Sequence, residues 1–269
     1  MTTHDPDASP ATPDHFSPAG FRLDGRHILV TGAGRGLGRA IALSAAAFGA
    51  TVSLVARTAP QLEDTARAAE PLDGTCVPLA WDLTGAEAVP GLLGAVRAQG
   101  PLDGVVHAAG VQHRVDAVDV APEDFRRVMT LNLEVPYFLS AAIAREQRER
   151  GARGSHVFIA SLNSSIGRPT CSPYVASKTG IVGVTRAFST EWSPHGIRAN
   201  AIGPGFYRTA LTEDLLTTEA GMSSVMSRIP MGRLGRPAEL GGAAVYLLSD
   251  ASAYVSGQVL NVDGGWLAA

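Results

Sequence analysis

Apolar and polar positions along the chain fall into short hydrophobic runs separated by longer stretches of helical period. Residues 26–30, 51–55, 75–79, 104–106, 156–159 and 198–202 predict buried strands, and residues 258–262 a last short strand. Between them, residues 36–48, 59–69, 86–98, 122–150, 172–193 and 238–248 predict helices. Regular alternation of this kind predicts an α/β fold: one doubly wound parallel sheet with helices on both faces. In such a sheet ligands bind beyond the carboxyl ends of the strands, so the loops after the strands are where chemistry is sought. Residues 1–20, rich in Pro, Asp, Thr and Ala and without periodicity, predict a flexible tail. Residues 21–269 predict a single domain, with no internal repeat.

Composition narrows the class. Hydrophobic residues make up 45% and charged residues 17%, the balance of a chain with a buried core. A net charge of -3 gives no general attraction to nucleic acid or anionic lipid. No apolar run reaches the ~18–20 residues that span a bilayer, and no signal-peptide pattern opens the chain. Two cysteines, Cys76 and Cys171, form no disulfide framework and fit a reducing cytoplasm. The histidines show no metal-ligand spacing, so no metal site is expected. Lys178 is the sole lysine; every other basic residue among Lys and Arg is arginine.

The first strand runs into Thr31-Gly32-Ala33-Gly34-Arg35-Gly36-Leu37-Gly38 and then a helix. Glycines allow positive φ and a close backbone approach to a pyrophosphate. The helix start offers unpaired N–H groups and a positive dipole end to phosphates. Such a loop taken alone also reads as a tight turn without a ligand; its place between strand and helix favours the phosphate.

The spacing Thr-Gly-x-x-x-Gly-x-Gly resembles the opening of the short-chain dehydrogenase/reductase family. The resemblance continues in order through residues 22–269 and implies a Rossmann-like fold. Asp82, with Leu83 after it, is similar to the family's segment near the adenine. His107-Ala108-Ala109-Gly110 resembles the family's Asn-Asn-Ala-Gly, with His107 in place of the leading Asn. Asn132, Ser161 and Tyr174-Val175-Ala176-Ser177-Lys178 resemble the family's catalytic Asn, Ser and Tyr-x-x-x-Lys. The segment Pro204-Gly205-Phe206-Tyr207-Arg208-Thr209 resembles the one that grips the nicotinamide carboxamide.

The resemblance implies a nicotinamide cofactor bound by Gly32, Arg35, Gly36, Leu37, Gly38, Arg57, Asp82, Leu83, Ala109, Gly110, Tyr174, Lys178, Pro204, Gly205, Tyr207 and Thr209. NAD-preferring members end the second strand on an Asp that binds the ribose hydroxyls. Ala56 stands there, followed by Arg57. A forked, permanently charged guanidinium suits a 2′-phosphate, and Arg35 can approach from the glycine loop. The reading is NADP(H) rather than NAD(H), although each arginine alone also reads as a solvated surface charge.

Carbonyl reduction needs a proton donor to the developing alkoxide, and alcohol oxidation the reverse. Tyr174 is the candidate. Its ordinary pKa of ~10 makes it a poor base at neutral pH. Lys178 lies four residues on, on the same helical face, where its ammonium would lower the phenol pKa by proximity and hold the nicotinamide ribose. Ser161 would orient the substrate oxygen. Ser164 and Ser165 are neighbouring competitors, and the resemblance decides for Ser161. The resemblance also implies that Asn132 fixes a water near Lys178.

Residues 209–230 are where the family covers its substrates; here they are mostly polar and small. His113, Arg114 and Arg168 are placed to reach an anionic group, and each also reads as plain surface charge. Residues 228–235 and 262–268 resemble the gluconate- and deoxygluconate-oxidising subgroup, which implies a polar polyhydroxy or sugar-acid substrate. A 3-oxoacyl carrier-protein reductase, a biosynthetic ketoreductase and a non-catalytic nucleotide binder are the alternatives. The family usually forms tetramers; the apolar last strand and the Trp266-Leu267 tail, read as exposed, agree with a homo-oligomer. No nucleic-acid or membrane partner is expected.

Overall fold

In the computed structural model, residues 16–209 and 212–269 are described. Seven strands form one sheet: β1 (His27–Thr31), β2 (Thr51–Ala56), β3 (Thr75–Ala80), β4 (Gly104–His107), β5 (Gly154–Ile159), β6 (Ile197–Pro204) and β7 (Val259–Val262). Their order is β3-β2-β1-β4-β5-β6-β7, and every pairing is parallel. The order reverses between β1 and β4, which opens a crevice above the carboxyl ends of those two strands.

One face of the sheet is covered by α1 (Gly36–Ala47), α2 (Ala59–Ala69) and α9 (Pro237–Leu248), whose Ile41, Ala45, Leu62, Leu240 and Val245 pack on Ile28, Val30, Val52 and Leu54. On the other face, α3 (Val89–Val96) and α5 (Val135–Glu149) bury Leu92, Val96, Leu139 and Ile143 against Leu29, Val55 and Val105. The 21-residue α6 (Ser172–Trp192) packs Ile181, Phe188 and Trp192 on Phe158, Ala199 and Ala201. Strands covered on both faces read as near-continuous apolar runs, which is why the inner strands were legible.

Three features differ from the sequence expectation. β3 is an edge strand paired only with β2, and its Thr75, Pro78 and Ala80 are exposed rather than buried. Pro78 lies within it, a residue that lacks the N–H an inner strand requires. The long helix expected over residues 122–150 is divided into α4 (Pro122–Met129), a π turn over Thr130–Glu134, and α5. Pro136 supplies the cause: it has no N–H for the carbonyl four residues earlier, that of Asn132, and its ring crowds that carbonyl. Residues 1–15 of the expected tail lie outside the described residues. Pro18–Phe21 forms a 3-10 turn capped by the Ser17 hydroxyl, and Phe21 packs near Phe16 and Tyr246.

The segment after β6 holds two short helices, α7 (Glu213–Leu216) and α8 (Glu219–Met226). Leu216, Val225 and Ile229 join Leu162, Phe206 and Trp266 in a separate apolar cluster. This cluster seats the segment over the loop that follows β5.

Candidate active site

The glycine loop sits at the point where the strand order reverses. Gly32 and Gly36 have φ of +69° and +59°, the left-handed region that suits glycine. A Cβ on Gly32 would lie 2.8 Å from the Ala109 nitrogen, and one on Gly38 would lie 2.3 Å from the Gly32 carbonyl oxygen. The loop is therefore pressed against both the start of α1 and the loop after β4. Ala109 N–H donates to Thr31 Oγ1 at 3.1 Å, tying the two loops together. The loop thus forms a glycine cradle at the first turn of α1, a position where unpaired helix N–H groups suit a pyrophosphate.

Other expected cofactor residues surround the same mouth. Arg35 immediately precedes α1, and Arg57 follows β2; both are exposed. Asp82 is exposed two residues past β3, while Leu83 is buried below it. Ala109 and Gly110 follow β4. A Cβ on Gly110 would lie 3.2 Å from Asn132 Oδ1 and 3.8 Å from Lys178 Nζ, so this loop passes directly over both. Thr209 approaches from across the cleft: a Cβ on Gly36 would lie 3.8 Å from its Cγ2. Pro204 ends β6, and Gly205 is packed so tightly on Asp263 that a Cβ would lie 2.5 Å from the Asp263 Cα. Tyr207 follows Phe206 in the same segment. Its side chain is buried, its ring rests against Gly235, and its hydroxyl donates to the Val262 carbonyl at 2.9 Å.

The four expected catalytic residues converge. Ser161 follows β5 with an extended backbone, and its Oγ accepts from Asn163 N–H at 3.1 Å. Tyr174 lies in the first turn of α6, and Lys178 one turn later. Desolvation holds the Tyr174 phenol above its ordinary pKa; the Ser161 hydroxyl and the charge of Arg114 pull it back down. Lys178 is buried, its Nζ lies 5.6 Å from the Tyr174 ring centre, and it donates to the Ile159 carbonyl at 2.6 Å. Burial brings its pKa down to about 8. In this arrangement Nζ stands beside the Tyr174 ring and is directed to the carbonyl at the end of β5.

Asn132 occupies the π turn and is buried. Its Oδ1 accepts from Val111 N–H at 2.9 Å, and its Nδ2 donates to the Val111 carbonyl at 2.9 Å and to Ser177 Oγ at 3.1 Å. Both amide donors are thus spent on bracing the loop after β4 against α6. Ser177 in turn donates to the Tyr174 carbonyl at 2.8 Å. Ser164, the competitor for Ser161, donates instead to the Lys178 carbonyl at 2.7 Å. Ser177 and Ser164 were missed as positioning residues; Ser177 is signalled only by standing beside Lys178 in the motif.

His107 has a defined place. Its Nε2 meets Ser140 Oγ at 2.7 Å, its ring stacks on Phe158 at 4.9 Å, and desolvation drives its pKa well below 6.5. It is a neutral brace between β4, β5 and α5. Trp266 is also corrected: it is buried, packed on Phe206 at 4.7 Å, and forms part of the roof rather than an exposed tail.

Of the expected basic groups, Arg114 acts by its charge on both Tyr174 and Arg168. His113 Nε2 is 3.4 Å from Asp124, and Arg114 donates to Gln112 Oε1 at 3.4 Å. Arg168 lies over the Phe206 ring, 5.5 Å from its centre. No grouping of three or more His, Cys, Asp or Glu suited to a metal ion occurs among the described residues. No helix among them is long and apolar enough to cross a membrane.

Comparison with known proteins follows the same outline. A family profile described as enoyl-(acyl carrier protein) reductase matches residues 32–267. Gluconate 5-dehydrogenase of Gluconobacter oxydans (strain 621H) is 38% identical over 247 residues, 91% of this chain and 96% of that protein. The 2-dehydro-3-deoxy-D-gluconate 5-dehydrogenase of Escherichia coli (strain K12) is 38% identical over 249 residues, 92% and 98% of the two chains. A crystal structure of a gluconate 5-dehydrogenase from Burkholderia cenocepacia J2315, in complex with NADP and tartrate, matches with a TM-score of 0.86 and 34% identity, covering 93% of this chain and 98% of that one.

Proposed function

The chain belongs to the short-chain dehydrogenase/reductase family, and from that membership we propose that it interconverts the ketone and secondary-alcohol forms of a sugar acid with NADP(H). It is an oxidoreductase acting on CH–OH groups, and NADP(H) is its cofactor. The observation that carries the reading is the convergence of Ser161, Tyr174 and Lys178 beside the glycine cradle, under a roof that reaches over from β6.

When bound, the nicotinamide supplies or accepts the hydride. Residues Gly32, Gly36, Leu37 and Gly38 present the backbone to the pyrophosphate, and Arg35 and Arg57 offer charge to the 2′-phosphate that no acidic residue at position 56 would repel. Tyr174 gives its phenolic proton to the developing alkoxide in reduction and takes it back in oxidation. Ser161 holds the same substrate oxygen in place and helps carry its charge. Lys178, with a pKa of about 8, stands one turn from the phenol and is poised to share protons near neutral pH. Asn132 keeps the loop carrying Gly110 seated over Lys178.

The sugar-acid assignment is supported by the relatives named above, by the tartrate in the Burkholderia structure, and by Arg114, whose charge acts on Tyr174. Assembly as a cytoplasmic homotetramer belongs to the same reading. The assembly is supported by the exposed side chains of Phe125, of the neighbouring Tyr137 and Phe138, and of Leu260 on the edge strand β7. Sedimentation velocity tests the assembly: a monomer at micromolar concentration rejects it.

The function is tested by following NADPH oxidation at 340 nm with 5-ketogluconate and with an acetoacetyl thioester, beside Tyr174→Phe. Turnover of 5-ketogluconate that falls by at least about 1,000-fold in the variant is expected. Turnover of the thioester alone would reject the sugar-acid reading in favour of a carrier-protein reductase.

A further inference from the structure

Arg168 is held at the active-site mouth without using its hydrogen-bonding edge. It lies seven residues after Ser161, on the loop that runs into α6. Its guanidinium rests over the face of Phe206 at 5.5 Å, and Phe206 is backed by Trp266 at 4.7 Å. Arg228 covers the Trp266 ring at 4.5 Å, so the stack is closed at its far end. A cation over a ring is held by its plane and keeps its N–H groups for another partner. No carboxylate of the described residues is among the charges acting on Arg168, although it is half-buried.

The loop is also fixed along its length. Thr170 has a φ of +61°, the left-handed region that a β-branched residue rarely enters. Its carbonyl accepts from Val115 N–H at 3.0 Å, and Cys171 Sγ accepts from Gln112 Nε2 at 2.8 Å. These two contacts pin the Arg168 loop to the loop that carries Arg114. The charge of Arg114 reaches both Arg168 and Tyr174.

We infer that Arg168 forms the subsite for the carboxylate of the substrate, its plane set by Phe206 and its N–H edge turned to the acid end of a molecule whose carbonyl lies at Ser161 and Tyr174. The inference rests on the sugar-acid reading above. Phe206 and Trp266 are positioning residues for this contact. The arrangement makes charge at one end of the substrate, rather than its hydroxyl pattern alone, the basis of selection.

The test is steady-state reduction of 5-ketogluconate and of a neutral ketohexose by wild type, Arg168→Gln and Arg168→Lys, with NADPH affinity by fluorescence as the check on folding. Arg168→Gln is expected to raise KM for 5-ketogluconate by about 10- to 100-fold, the loss typical of a hydrogen bond to a charged group. The preference for 5-ketogluconate over the ketohexose should fall by the same factor, and Arg168→Lys should recover part of it. If wild type reduces 5-ketogluconate and Arg168→Gln keeps its KM and its preference, the subsite is wrong while the function stands. An equal loss on both substrates, or a loss confined to kcat, also overturns it. If wild type reduces no sugar acid, the function and the subsite fall together.

Discussion

Replacing Gly38 by alanine separates two physical effects of opposite sign. Gly38 lies in the first turn of α1 and is not among the positive-φ glycines, so alanine meets no backbone penalty there. Helix propensity alone predicts a gain of about 1 kcal/mol. The added Cβ, however, would stand 2.3 Å from the Gly32 carbonyl oxygen and 2.7 Å from its carbon. Those are backbone atoms of the phosphate loop, and Gly32 is itself pressed on Ala109. Restoring ordinary contact requires a shift of about 1 Å, and overpacking of this kind costs about 1–3 kcal/mol. The contact outweighs the propensity, and the strain falls on the loop proposed to meet the pyrophosphate. Fluorescence titration should show NADPH affinity weakened by about 10- to 100-fold, with the melting temperature lowered by only a few degrees. A variant that melts higher than wild type and binds NADPH within twofold of it would refute the reasoning.

Further outcomes follow from the same geometry. His107 and His156 are buried and neutral, His156 with a pKa of about 3 and His107 well below 6.5. The unfolded chain takes up their protons near pH ~6.5, so their contribution to stability is complete above that pH. It is lost as pH falls, at up to about 2.7 kcal/mol per unit for the pair; urea midpoints measured from pH 7 to 5 should fall more gently in His156→Gln. Arg57→Ala should weaken NADPH by about 10-fold and leave NADH nearly unchanged in paired titrations; equal loss of both would remove Arg57 from the 2′-phosphate. Trp266→Ala should cost about 3 kcal/mol by urea denaturation and raise KM for the substrate, because it removes the support of Phe206 and the roof cluster; an unchanged KM would detach the roof from the substrate.

Much of the site was legible because its chemistry is written in short spacings. The glycine loop follows a strand and opens a helix, and Tyr174 and Lys178 are one helical turn apart, so local geometry carries both. The sole lysine stood out without any structure. Signals that depend on distant partners were not legible. Nothing near Asn132 in sequence shows that its amide is spent on Val111 and Ser177, although Pro136 marks the break in the helix that turns it inward. Tyr207 sits in a motif that resembles a cofactor grip, yet its hydroxyl belongs to Val262, 55 residues away. Trp266 reads as an exposed end because its burial depends on Phe206 and on the segment after β6.

By itself the sequence determined the alternation of strands and helices, the parallel sheet and the helical spacing that sets Tyr174 and Lys178 one turn apart. These depend on periodicity and on contacts within one turn or one loop. Only the tertiary structure decided which strands lie at the edges, which loops are pressed together over Lys178, and which side chains of the mouth are braces. Those outcomes depend on packing between segments far apart in the chain, where burial and the need to satisfy polar groups are set by neighbours that no local pattern specifies.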